Sequence, residues 1–209
     1  MKNGFNTLAG IYDLLSRIAL LGRIQKSQLD VLAHIGPANR ALIVGGGTGV
    51  FLPKLLEKLP ELKIDWIDSS DKMIANTKRR LTETQCKNII FHSCDIADFH
   101  TDESYDLIIS NFFLDCFMHE KLANIIKSLD DKLEVNGIWI VCDFKQCGLI
   151  SKLYIKMMYL FFRAICGIQA THISDYFKSI EMLGYKEEEK LGYMNGFIQA
   201  EKFVKTEPG

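Results

Sequence analysis

The stretch LIVGGGTGVF, Leu42–Phe51, concentrates what chemistry the chain could do with its backbone. Gly45, Gly46, Gly47 and Gly49 fill four of five consecutive positions. Glycine loses more conformational freedom on folding than any other residue, so such a run has a use where the chain turns tightly or something must approach the backbone closely. It follows an apolar run and opens a helical pattern, the place where an open α/β sheet binds its ligand. A Walker A loop requires a Gly-Lys pair, and none occurs here. The nicotinamide fingerprint G-x-G-x-x-G, started from Gly45 and Gly47, reaches Val50 where it requires glycine. What remains is G-x-G-x-G, which on its own is also compatible with a turn that serves packing alone.

Side chains that could complete a site come next. In IDWIDSS, Asp68 ends the second strand-like run, nineteen residues after Gly49. An acid at about that spacing, roughly 20 residues, can accept hydrogen bonds from a ribose diol. FHSCDI ends the third run in another acid, Asp95, and IISNFFLDCF sets Asn111, Phe112, Phe113 and Asp115 beyond the fourth. Singly, each acid reads as a solvated loop residue; together beside the glycine loop they point to a nucleoside pocket.

The elements that must hold these residues alternate between strand-like and helix-like runs. Strands are expected at Ala41–Val44, Lys63–Ile67, Asn88–Ser93, Tyr105–Ser110 and Ile138–Cys142, with helices at Gly49–Leu59, Lys72–Glu83 and Lys121–Leu133. Most of the strand runs are apolar without alternation, as in strands covered on both faces of a parallel sheet. Before them, Thr7–Ile35 has apolar residues at helical spacing, giving one or two helices ahead of the sheet. After them, Tyr185–Gly192 and Phe197–Val204 flank YMNGF, whose Asn-Gly pair signals a hairpin. The expected fold is α/β: a doubly wound, mostly parallel seven-stranded sheet closed by a C-terminal antiparallel hairpin, with an N-terminal helical extension.

Composition sets outer limits. A chain of 209 residues, 48% hydrophobic, can bury one core, so a single domain over 1–209 is expected. A net charge of −1 gives no general attraction to nucleic acid. No secretion signal opens the sequence, and its six cysteines form no C-x-x-C pair. Reduced cysteines, a cytoplasmic setting and no bound metal are the expectations.

These motifs carry a resemblance. The chain resembles the class I S-adenosylmethionine-dependent methyltransferases from about Phe5 to Lys205: LIVGGGTG is similar to their first motif, IDWIDSSDKMIANTKRR to the acidic loop and helix start that follow. CDI, YDLIISNFFLD and LEVNGIWIVCD resemble later motifs. FNTLAGIYDLLSRI is similar to the leader helix of the ubiquinone/menaquinone biosynthesis methyltransferases. The resemblance implies S-adenosylmethionine as cofactor. Gly45, Gly46 and Gly47 would lie along its methionine part, with Gly49 letting the following helix pack close. Asp68 would take the ribose hydroxyls and Asp95 the adenine amino group, while Ser69, Met73 and Ile96 would line the adenine and Asn111 and Phe112 would complete the pocket. One departure stands out: Ile43 occupies the position where the family has an acid.

Implied with the cofactor is methyl transfer to a small-molecule acceptor with a hydrophobic body; a cofactor-binding module without catalysis is the alternative. If the acceptor keeps its proton at pH 7, a base is required. Asp115, His119 and His172 are the candidates. Residues 1–36 would form a helical cap and residues 145–175 a substrate lid. Within that lid, 148–168 places Lys152, Lys156 and Arg163 within about 40° of one another on a helical wheel, the rest being almost wholly apolar. A core-packed helix with a solvated stripe and a lid resting on a membrane surface both fit this pattern.

Overall fold

The computed structural model describes residues 22–166 and 175–207. Seven strands form one sheet: β1 Arg40–Val44, β2 Lys63–Ile67, β3 Ile89–His92, β4 Tyr105–Asn111, β5 Leu133–Phe144, β6 Tyr185–Tyr193 and β7 Ile198–Lys205. Their order is β3-β2-β1-β4-β5-β7-β6. β1 to β5 pair in parallel, and β7 runs antiparallel between β5 and β6. The chain winds outward from β1 to β3, then returns to β4 on the other side of β1. The carboxyl ends of β1 and β4 therefore flank the switch point, where a crevice opens.

The helices are α1 Arg23–Asp30, α2 Leu52–Lys58, α3 Asp71–Lys78, α4 Glu83–Cys86, α5 His119–Asp130, α6 Leu149–Cys166 and α7 Tyr176–Glu181. Side chains of a strand alternate between faces, so β1 serves two cores. Ala41 and Ile43 enter one, with Ile24 of α1, Leu55 of α2, Ile74 of α3 and Ile155 of α6. Leu42 and Val44 enter the other, with Ile125 and Leu129 of α5 and Phe177 and Ile180 of α7. Trp66 and Trp139 are fully buried on opposite faces. Sealing a side chain of that size stabilises the fold by about 2–3 kcal/mol.

Boundaries moved where capping chemistry overrode periodicity. α2 begins at Leu52 rather than Gly49, because Gly49 is left-handed (φ 66°) and Pro53 occupies the first turn. The helix expected to run to Glu83 stops at Lys78, and Thr82 starts α4 with a capping box to Gln85. β5 is twelve residues long, seven more than its apolar run, with a register shift against β4. The hairpin turn sits one residue earlier than expected: Met194 and Asn195 are both left-handed (φ 52° and 55°), and Gly196 follows them. The segment Thr7–Leu21 of the expected N-terminal helices lies outside the described residues.

The two sheet edges differ. β3 has only four residues, while β6 presents Lys186, Glu187, Glu188, Glu189 and Lys190 in succession. Ion pairs cross to β7, Lys190–Glu201 and Lys202–Glu188, each at 2.8 Å.

Candidate functional site

The glycine loop leaves β1 bonded to the end of β2: Gly45 N–H donates to the Ile67 carbonyl at 2.9 Å. Three of its glycines are left-handed, Gly45, Gly47 and Gly49, with φ of 61°, 60° and 66°. Side chains then fix the loop from α3 and beyond. Thr77 Oγ1 donates to the Gly47 carbonyl at 2.9 Å, and Arg80 Nε donates to the Thr48 carbonyl at 2.8 Å.

What a side chain would meet differs along the loop. A Cβ at Gly45 would lie 2.3 Å from the Phe113 ring, and one at Gly46 2.1 Å from Trp66. At Gly49 it would strike Thr77 at 2.5 Å. Three glycines thus answer to neighbouring protein atoms. For Gly45 and Gly46 the structure supplies a constraint other than a cofactor, and Gly49 makes room for α3 rather than for the helix after it. Gly47 alone has open space: its nearest atom would be the Gly45 carbonyl oxygen at 3.9 Å.

That space belongs to a cavity, open to solvent, at the carboxyl ends of β1, β2 and β4. Gly45, Gly46, Gly47 and Gly49 form its floor. Asp68, Ser69 and Met73 line it from the end of β2 and the start of α3; Asp95 and Ile96 line it beyond β3. Asn111 and Phe112 contribute from the end of β4. Strand ends thus bring residues from four stretches of sequence together.

Asp68 organises the polar end. Its Oδ2 accepts from Gly47 N–H and its Oδ1 from Ser70 N–H, each at 2.8 Å. Burial raises its pKa to about 6, against the two backbone N–H groups that favour the carboxylate. Asp95 caps the short turn that follows it, accepting from Ala97 N–H at 3.1 Å, and pairs with Lys121 at 3.2 Å. Asn111 is the unsatisfied member: 6% exposed, with neither its Nδ2 nor its Oδ1 hydrogen-bonded. A buried amide facing a cavity without a protein partner marks a place for a polar ligand group.

Aromatic side chains complete the lining. Phe113 and Phe117 meet edge to face at 4.9 Å, and both line the cavity with Phe112. Phe112 is itself left-handed (φ 50°), an uncommon conformation for a side chain of that size. The loop that carries these rings is clamped by Asp143, at the end of β5 and fully buried. Its Oδ2 accepts from the N–H groups of Leu114, Phe113 and Asp115 at 3.1, 3.3 and 3.4 Å, and its Oδ1 from Phe144 N–H at 2.8 Å. Burial, with the Asp115 carboxyl beside it, holds its pKa well above the usual carboxylate range.

Asp115 lies behind this lining rather than in it, so the structure does not bring it to the cavity as a base. It is 8% exposed, accepts from Cys116 Sγ, and burial raises its pKa to about 6. His119 opens α5, but its side chain, like all of His172, lies outside the described residues. The described cavity lining contains no residue of α6; this helix, from the segment expected as a lid, packs behind the loop, Tyr159 donating to the Asp115 carbonyl at 3.0 Å.

Sequence reasoning expected a helical cap over 1–36 but named none of its residues for the site. Ile24, Gln25 and Gln28 of α1 line the cavity. Their only signal is spacing: positions three and four apart share a helix face. Asp143 was legible only as an acid ending an apolar strand.

Comparison with known proteins agrees with this geometry. A family described as "Methyltransferase domain" matches residues 41–137. A malonyl-[acyl-carrier protein] O-methyltransferase of Bacillus anthracis is 31% identical over 149 residues, 70% of this chain and 53% of that protein. A carboxy-S-adenosyl-L-methionine synthase of Nautilia profundicola is 26% identical over 135 residues, 63% of this chain and 57% of that protein. The chain thus spans about half the length of these relatives. Among solved structures, the N-methyltransferase NodS of Bradyrhizobium japonicum WM9 with S-adenosyl-L-homocysteine aligns with a TM-score of 0.65 at 17% identity, covering 88% of this chain and 87% of that one.

Proposed function

From a chain that belongs to the class I S-adenosylmethionine-dependent methyltransferases, we propose an enzyme that methylates a small acceptor with an apolar body. The observation that carries this is the cavity's mixed lining: acids, an orphaned amide and an open glycine together with three phenylalanines. S-adenosylmethionine supplies, when bound, a methyl group on a sulfonium, already activated for transfer. Asp68 would receive the ribose hydroxyls while keeping its bonds to the loop. Ser69, Met73, Asp95 and Ile96 would hold the adenine, and the open backbone at Gly47 would take the methionine part.

Most of the catalysis is then positioning. Holding two reactants in line replaces a bimolecular encounter and can supply about 7–11 kcal/mol of a barrier. Phe112, Phe113 and Phe117 shape the acceptor side and keep water from it, while Gln25 and Gln28 offer amides from the cover. A carboxylate needs no base to become a nucleophile at pH 7, and the malonyl-[acyl-carrier protein] relatives make a carboxylate on an acyl chain the first acceptor to test.

The experiment is transfer of a labelled methyl group to a panel of acyl carboxylates, quinols and small polar amines, beside calorimetry with S-adenosylmethionine. Turnover of an apolar acceptor is the expected result. Cofactor binding with no transfer to any acceptor would favour a binding module instead, the role that Ile43 in place of an acid suggests. No cofactor binding would overturn both.

A further inference from the structure

The outer face of α6 carries three large apolar side chains turned to solvent: Leu153, Met157 and Leu160, 61%, 64% and 69% exposed. Spaced by four and three, they form one ridge along the helix. Lys152, Lys156 and Arg163 are also exposed and run as a stripe along one flank of that ridge. The inner face is fastened to the protein. Ile155 and Tyr159 are each 4% exposed, and the Tyr159 hydroxyl bonds the Asp115 carbonyl. The ridge is thus held outward on an anchored helix.

Charge indicates what covers it. From Phe144 to Ser174 the sequence contains Lys145, Lys152, Lys156 and Arg163 and no acid, in a chain whose net charge is −1. A helix with an apolar ridge, a basic flank and a packed inner face has the layout of an interfacial helix lying in the headgroup plane. Among the described residues no helix is long and apolar enough to cross a membrane, so the contact would be peripheral.

We propose that the outer face of α6 docks on a bilayer rich in anionic lipid, Leu153, Met157 and Leu160 entering the acyl boundary and Lys152, Lys156 and Arg163 meeting lipid phosphates. A straight cationic stripe beside a straight apolar ridge matches a planar headgroup layer. Because Tyr159 ties α6 to the loop carrying the cavity's aromatic wall, docking sets that wall beside the membrane. This docking stands on α6 and does not depend on the methyl-transfer reading.

The test is co-sedimentation with vesicles of phosphatidylglycerol mixed into phosphatidylcholine, and with phosphatidylcholine alone, at low and high salt. The protein should sediment with the anionic vesicles and be released by salt, which screens surface charge. Lys152→Glu with Lys156→Glu, and separately Leu153→Ser with Leu160→Ser, should each reduce vesicle affinity at least about tenfold. Unchanged S-adenosylmethionine affinity and circular dichroism would show the variants folded. Indifference to anionic vesicles overturns the proposal, as does vesicle binding that survives both double variants. So does finding the face covered in solution by a second copy, seen by light scattering and relieved by Leu160→Ser. Capture of an acidic carrier protein in place of vesicles overturns it equally.

Discussion

Two parts of the cavity lining, a glycine end and an aromatic end that meet where Phe113 lies against Gly45, are built by different means. The glycine end is assembled from strand termini within about one turn of their motifs and is locked by backbone hydrogen bonds, Asp68 holding Gly47 and Ser70 together. The aromatic end depends on distant pieces: α1 for the cover, β5 for the clamp, α6 for the brace behind the loop. Motif residues make the first end readable from sequence, although the bonds that lock it span 21 to 32 residues. The second is held by Asp143 and Tyr159 across 28 to 44 residues, and it touches the first where Phe113 lies against Gly45.

Replacing glycines within one loop gives the largest contrast. Gly47→Val should leave the chain folded, at a strain of about 1–2 kcal/mol for its left-handed backbone. Its side chain enters cavity space, and S-adenosylmethionine affinity should fall about 100-fold or more in calorimetry. Gly46→Ala should do the reverse first: with Trp66 in the way, urea unfolding should show a loss of about 1–3 kcal/mol. Equal stability losses with cofactor affinity retained in Gly47→Val would erase the distinction.

Asp68→Ala removes an acceptor shared by two backbone N–H groups and, on the proposed function, by the ribose. Cofactor affinity should fall by about 1.5–3 kcal/mol, the scale of hydrogen bonds to a charged group. Asp71→Ala, in the first turn of α3, should fall well short of that. The same residue predicts a pH dependence. A ribose diol donates to the carboxylate, so binding favours the ionised form. With a pKa of about 6 in the folded chain, affinity should be full at pH 7–8 and fall toward pH 5, and Asp68→Asn should flatten the profile. Stability should run the other way. The pKa is raised on folding, so the folded state binds the proton more tightly, and the stability of the wild-type chain relative to Asp68→Asn should decline from pH 4 to 6.

At the aromatic end the effects should be selective rather than large. Asp143→Asn weakens three N–H bonds to the loop while touching no described part of the cavity. Acceptor turnover should drop about tenfold, with cofactor affinity within about twofold, as for loss of a positioning contact of about 1–2 kcal/mol. Tyr159→Phe removes one hydroxyl-to-carbonyl bond and should cost about 1 kcal/mol of stability, with a small rise in KM for the acceptor and none in cofactor Kd. A matching loss of cofactor binding in either variant would show that the two ends are coupled.

This division explains what could be read beforehand. The parallel order, the hairpin and the eleven cavity residues named from motifs rest on local signals, namely apolar runs, glycines and acids at strand ends. Gly45 and Gly46 show the limit of such reading, because their nearest neighbours Phe113 and Trp66 come from the loop after β4 and from β2. Asp115 illustrates a second limit: a motif places a residue near an edge but does not say whether its side chain faces the cavity or the core. Gln25 and Gln28 line the site from α1, within the expected cap over 1–36, but helical spacing does not record which of its faces meets the cavity.

The charged outer strand bears on a different property of the fold. Any open sheet offers its last strand to further copies of itself, and β3 at one border is too short to recruit much. At the other, the run Lys186-Glu187-Glu188-Glu189-Lys190 reads the same in both directions. Antiparallel self-pairing centred on Glu188 would set lysine against lysine and glutamate against glutamate at every rung, and like charges directly opposite repel. The palindrome therefore discourages fibre growth from that border in a chain whose near-zero net charge gives little colloidal protection of its own.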